Sequence, residues 1–177
     1  MSAKLEQLFH YLDRLQGQAS LAEVTAVLTK LKITCDDVAD HVRFNDAQYR
    51  RNSIRVGLWY QVWALCWKNG QRSPIHDHRG SNCVVQVLRG NLTQTLFEFA
   101  PNGHVKATGS ADFPPGSFIH SHDSDMHQVS NLQAGEADLV TLHIYSPPLR
   151  RMGTYSLTDR SRGHEMMFVE FCDAAGI

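Results

Sequence analysis

Residues 70–90, GQRSPIHDHRGSNCVVQVLRG, are the stretch that decides the fold. His76 and His78 stand two residues apart in a segment that runs on into the β-branched sequence around Val84, Val85 and Val87. Side chains alternate between the two faces of an extended chain, so histidines at this spacing project from one side of a strand. Two neutral imidazoles on one rigid face begin a metal site, because imidazole suits iron, zinc, copper and nickel alike. The competing interpretation is a pair of exposed loop histidines beside Asp77. The flanking Gly70 and Gly90 and the strand that follows favour the metal site.

The rest of the composition narrows the context. At 177 residues, 42% hydrophobic and 20% charged, the chain is expected to form one domain over 1–177 with its own core. A net charge of -1 gives no electrostatic footprint for nucleic acid or an anionic membrane, and neither is expected as a partner. The chain has no apolar run of bilayer length and no signal-peptide core in MSAKLEQLFH, which predicts a cytoplasmic protein. Cys35, Cys66, Cys83 and Cys172 are irregularly spaced and form no CxxC pair, so thiols are expected rather than a disulfide framework. Of the ten histidines, His76, His78, His120, His122, His127 and His143 fall in the middle of the chain, where a site would be built.

Two regions follow along the chain. Residues 1–50 read as a helical cap. Leu5, Leu8, Phe9, Leu12 and Leu15 keep the helical period until GQAS ends it. Ser20 with Glu23 makes a capping-box pattern before Val24, Val27, Leu28 and Leu31, and a shorter helix is expected around Asp36 to Val42. Residues 51–177 are strand-rich: IRVGLWYQVWALCW, NCVVQVLRG, LTQTLFEFA, ADFPPGSFI, HQVSN and ADLVTLHIYSPP are separated by Gly, Asn and Pro turns. No βαβ alternation occurs. The prediction is all-β with a helical N-terminal cap, a β-barrel of the jelly-roll (cupin) type.

The first segment is similar to the opening motif of the cupin family: a glycine, five residues, HxH, a spacer, a glutamate, six residues and a glycine. Gly70, His76, His78 and Gly90 fall in register, with Cys83 where most cupins place a metal-binding glutamate. HQVSN supplies His127 and Asn131 in the second motif's spacing, after the turn at Pro114 to Gly116. His120 and His122, in the polar run HSHDSDMH, are favoured as solvated loop residues and not as ligands. Three neutral histidines leave a dication's charge intact and open positions around it. The related two-histidine, one-carboxylate triad is the usual arrangement of non-haem Fe(II) oxygenases. In VTLHIYSPP, Thr141, His143 and Tyr145 alternate with Val140, Leu142 and Ile144, so the polar three share a face and make a candidate hydrogen-bond relay. A solvent-facing edge strand would carry the same pattern.

Taken in order, YRRN at 49–52, CW at 66–67, IHDHRGSNC at 75–83, LRGNLTQTLFE at 88–98, MHQVSN at 126–131 and TLHIYSPP at 141–148 resemble the thiol dioxygenases, and among them the bacterial members of the cysteine dioxygenase type I family. The resemblance implies an Fe(II) cofactor held by His76, His78 and His127, with a small-molecule thiol and O2 as the reacting partners. It implies an active-site phenol at Tyr145 held by His143 and Thr141, the last usually serine in the family. It implies Arg51 as the substrate-carboxylate arginine, supported by Tyr49. The planar guanidinium fork is suited to gripping a carboxylate through two hydrogen bonds. Cys83 stands where some members form a thioether with the tyrosine, although a buried free cysteine is more often plain packing. Met152 and Gly153 replace a cysteine and a histidine seen in some relatives. The expected activity is oxidation of L-cysteine to its sulfinate by a monomer or weak homo-oligomer. The alternatives are 3-mercaptopropionate dioxygenation at the same site, in a branch that typically carries glutamine at the arginine position, and a non-catalytic metal-binding cupin.

Overall fold

The computed structural model describes residues 1–159 and 165–167. Two short helices come first, α1 (Ala3–Leu12) and α2 (Leu21–Leu31), followed by a 3-10 helix at Asp36–His41. Ser2 and Ser20 cap them, each side chain accepting a backbone N–H three residues on, from Leu5 and Glu23. α1 stops at Leu12, one turn before the apolar period ends. Leu15 nevertheless packs against the helical cluster from beyond the helix end. The third expected helix is the 3-10 helix. Asp37 accepts the Thr34 N–H and hydroxyl and the Lys4 ammonium there, which tightens the turn.

Eleven strands follow among the described residues: β1 (Arg50–Val56), β2 (Gln61–Trp67), β3 (Ile75–His76), β4 (Asn82–Arg89), β5 (Leu92–Phe99), β6 (Val105–Phe113), β7 (Phe118–Ser121), β8 (His127–Ser130), β9 (Leu139–Ser146), β10 (Arg151–Tyr155) and β11 (Glu165–Met167). The apolar run expected as one strand from Ile54 to Trp67 is two strands. The chain turns at Gly57, whose N–H bonds the Tyr60 carbonyl and where a Cβ would run into the Tyr60 ring. ADFPPGSFI likewise splits into β6 and β7 around the turn at Gly116 (φ +89°).

The strands form two antiparallel sheets, ordered β1-β2-β9-β4-β7 and β11-β10-β3-β8-β5-β6. Helices cover the outer face of the first sheet. Leu5, Leu8, Phe9, Leu12, Val24 and Leu28 pack in one cluster with Val62, Val84, Leu142 and Ile144. The opposite face of the same sheet joins a second cluster inside the barrel, with Leu65, Trp67, Cys83, Val85, Tyr145, Val129 and Met152. This is the all-β, helix-capped jelly roll that the strand spacing predicts. β9 lies at the centre of the first sheet, buried at every residue, so the edge-strand alternative fails. Leu142 and Ile144 meet the helices, while Thr141, His143 and Tyr145 are buried on the barrel side.

Cys35, Cys66 and Cys83 are free thiols; Cys172 lies outside the described residues. Among the described residues no helix is long and apolar enough to cross a membrane.

Candidate metal centre

β3 and β8 meet at a single residue pair, His76 opposite His127. Directly opposed residues on antiparallel strands present their side chains side by side, and these two rings lie 4.4 Å apart between centroids. His78 arrives differently from the period-2 expectation, because β3 ends at His76. The backbone N–H of His78 bonds the Asp123 carbonyl, and a turn through Arg79 (φ +27°) and Gly80 (φ +93°) then carries the chain across to β4. Its ring lies 5.2 Å from that of His76 and 4.8 Å from that of His127. The three residues offer ring nitrogens that all lie within 4.8 Å of one another.

Hydrogen bonds fix which nitrogens are available. Nδ1 of His76 lies 2.9 Å from the Pro74 carbonyl and Nδ1 of His127 2.9 Å from the Asp125 carbonyl. A carbonyl only accepts, so both rings carry hydrogen on Nδ1 and leave Nε2 bare. Both nitrogens of His78 are buried without a protein partner. Burial pushes the His76 and His78 imidazoles well below the usual histidine range, and the neighbouring His127 pushes further in the same direction. Burial lowers His127 too, against the opposing pull of the Asp125 carbonyl. Neutral rings with unmet lone pairs are costly in a protein interior and suit a cation with a preference for nitrogen. The donor set fits a first-row metal dication.

Cys83 is not part of this cluster. It is buried on β4 opposite Tyr145 of β9, and desolvation raises its thiol so that it stays protonated. His120 is exposed on β7 with its ring bonded to Thr25, and His122 is exposed in the following turn. The prediction of two solvated histidines therefore holds, except that one of them lies on a strand.

The polar face of β9 adjoins the histidines. Thr141 Oγ1 is 2.9 Å from His143 Nε2, and His143 Nδ1 is 3.3 Å from the Tyr145 hydroxyl. Burial lowers His143 to about 3 and raises the Tyr145 phenol well above its usual value, so both are neutral. The Tyr145 ring stands edge-on to His78, 5.2 Å away. Arg51 enters the same cavity from β1, its guanidinium carbon 5.8 Å from the centre of the Tyr49 ring. Arg55 instead pairs with Asp13 of the cap. Every residue singled out from the sequence as a ligand, relay member or substrate contact converges on this cavity or packs directly behind it.

Sequence reasoning missed Asp77, the residue between the two histidines. Its carboxylate is buried, accepts hydrogen bonds from the Gly153 N–H (2.7 Å) and the Tyr155 hydroxyl, and pairs with Arg79. Asp77 thus latches β10 onto the histidine-bearing segment. A Cβ at Gly153 would lie 2.8 Å from the Asp77 carboxylate, so glycine here lets the carboxylate approach the β10 backbone closely. Its neighbour Met152, 3% exposed, lines the cavity. Asp77 was illegible because its partners on β10 lie 76 and 78 residues away in sequence.

Comparison with known proteins agrees with this arrangement. The family model "Cysteine dioxygenase type I" matches residues 2–158. Cysteine dioxygenase type 1 of Rattus norvegicus is 31% identical over 153 residues, 84% of this chain and 74% of the rat protein. The Danio rerio protein of the same name is 29% identical over 167 residues, 90% of this chain and 81% of its own length. Among solved structures, a Thermus thermophilus protein superposes with TM-score 0.53 at 20% identity, covering 63% of this chain and 94% of its own. A Klebsiella pneumoniae protein with a double-stranded β-helix domain gives TM-score 0.53 at 13% identity, over 67% and 94%. These two likenesses speak to the fold alone.

The buried donor set predicts a metal-content result. Replacing His78 by Ala should weaken affinity for a loaded first-row dication by more than the roughly ten- to hundredfold that loss of an outer-shell partner costs, and the metal content left after desalting, measured by elemental analysis, should fall accordingly. Replacing His120 by Ala should leave the metal content unchanged.

Proposed function

The chain belongs to the cysteine dioxygenase type I family, and on that premise we propose that it is a non-haem Fe(II) thiol dioxygenase that oxidises L-cysteine with O2 to cysteine sulfinate. The observation that carries this reading is the convergence on one cavity of three bare-nitrogen imidazoles, a guanidinium and a neutral phenol. The thiol hydrogen leaves as a proton, both oxygen atoms join the sulfur, and the sulfur supplies the electrons that reduce O2. Fe(II) held by His76, His78 and His127 supplies the redox chemistry. The chain's own residues do the rest. Arg51 grips the substrate carboxylate, and Tyr49, stacked on Trp67 at 4.2 Å, keeps the guanidinium turned into the cavity. The fixed carboxylate places the thiol end toward the histidines, so that orientation supplies much of the rate. Trp67, Leu65, Val85, Val129 and Met152 wall the cavity and keep water out. The whole chain acts as one domain, a cytoplasmic monomer or weak homo-oligomer.

Cys83 and Tyr145 face one another across β4 and β9. Joining Cys83 Sγ to a ring carbon of Tyr145 beside its hydroxyl removes one hydrogen from each partner, with O2 as the oxidant. Intact-protein mass after aerobic turnover should fall by two hydrogens, and Cys83→Ala should show no such change. An unchanged mass in the turned-over wild type would contradict the cross-link.

Oxygen uptake with product analysis tests the substrate. L-cysteine should be turned over with higher kcat/KM than 3-mercaptopropionate, and Arg51→Gln should lower kcat/KM for cysteine by roughly a hundredfold, mostly through KM, as loss of a charge-assisted pair costs about 2–3 kcal/mol. Preference for 3-mercaptopropionate would overturn the substrate assignment, and no turnover of either would favour a binding protein.

A further inference from the structure

Trp67 closes the hydrogen-bond chain at its inner end. Its indole N–H can only donate, and it lies 3.1 Å from Thr141 Oγ1. Thr141 is completely buried, so its own hydroxyl hydrogen needs an acceptor inside the protein. Among the described residues the acceptor within reach is His143 Nε2, at 2.9 Å. Were Nε2 to carry the hydrogen instead, Thr141 Oγ1 would receive two N–H groups and its own hydrogen would have nowhere to go.

The direction of the remaining bonds then follows. A neutral His143 with bare Nε2 carries its hydrogen on Nδ1, which lies 3.3 Å from the Tyr145 hydroxyl and 3.9 Å from the Cys83 sulfur; oxygen is the stronger acceptor, so Nδ1–H donates to the hydroxyl. The Cys83 sulfur beside Tyr145 is a weak acceptor, and the Arg51 guanidinium and Tyr49 phenol share its surroundings, the guanidinium being unable to accept at all. The phenol hydrogen is left for an anion that enters the cavity. Trp67 is itself held from two further sides. Its carbonyl accepts from the Asn131 side chain at 3.1 Å, and its ring stacks on Tyr49 beside Arg51.

We propose that Trp67 is a positioning residue: its indole N–H sets the direction of the Thr141–His143–Tyr145 chain, so that Tyr145 meets the substrate as a hydrogen-bond donor while the same ring braces the arginine arm. The assignment of the incoming anion as a thiol substrate rests on the function proposed above; the direction of the chain does not.

Nitrogen NMR on metal-free protein with labelled histidine rings reads the tautomer directly, with the His143 signal identified by its loss in His143→Gln. The expected result is hydrogen on Nδ1 and a bare Nε2 for His143. Trp67→Phe keeps an aromatic ring and deletes the N–H, and should populate the Nε2–H form. With Fe(II) and cysteine it should lower kcat roughly tenfold, below the full contribution of a general acid, with KM nearly unchanged. Thr141→Ser, which keeps the hydroxyl, should retain the wild-type tautomer, and Thr141→Val should lose it, so the proposal is tested even if the tryptophan variant does not fold. A wild-type Nε2–H tautomer, or an unaltered one in folded Trp67→Phe, would overturn the proposal. The tautomer is read without metal, thiol or turnover, so its failure is distinguishable from failure of the dioxygenase reading.

Discussion

Three desolvated imidazoles with unmet lone pairs are the constraint around which the rest of the structure is arranged. Each ring alone would be a liability in a protein interior. Together they are held by a very small piece of sheet, since β3 contributes two residues and touches β8 at one pair. The surrounding structure does what so short a ladder cannot. Carbonyls of Pro74 and Asp125 fix two tautomers, Asp123 anchors the backbone of His78, and the Asp77 carboxylate ties the segment to β10. The burial that makes the rings neutral, and hence able to ligate, is the burial that makes them costly without a cation.

β9 connects the fold to this site. Its aliphatic residues are covered by the helical cap and its polar residues face the barrel interior, so packing on one side permits a dry polar row on the other. In a dry row every hydrogen bond has to be met, and that requirement gives the row a direction. Trp67, across the ladder on β2, terminates the row and stacks on the tyrosine that accompanies Arg51. Two functional arms reached from distant parts of the sequence therefore share one rigid ring.

Much of this was legible in the sequence. HxH between turn glycines singled out His76 and His78, the resemblance to the second cupin motif added His127, and the alternation in VTLHIYSPP placed Thr141, His143 and Tyr145 on one face. Periodicity carried those inferences because side-chain alternation is local. It carried less where backbone contacts decide the outcome. His78 lies beyond the end of β3, anchored by its backbone N–H on the Asp123 carbonyl and not by a strand ladder, and the run from Ile54 to Trp67 breaks where the Tyr60 ring covers Gly57. Asp77 and Trp67 were readable as types but not as roles, since the bonds of Asp77 to β10 and of Trp67 to β9 span more than seventy residues.

The most direct test of the account is the fate of oxygen. Fe(II)-loaded protein would be given L-cysteine under heavy-isotope dioxygen in ordinary water, and the sulfinate product weighed by mass spectrometry. Both sulfinate oxygens should carry the heavy isotope. A product with a single heavy oxygen, or with none, would contradict a dioxygenase centred on the three histidines.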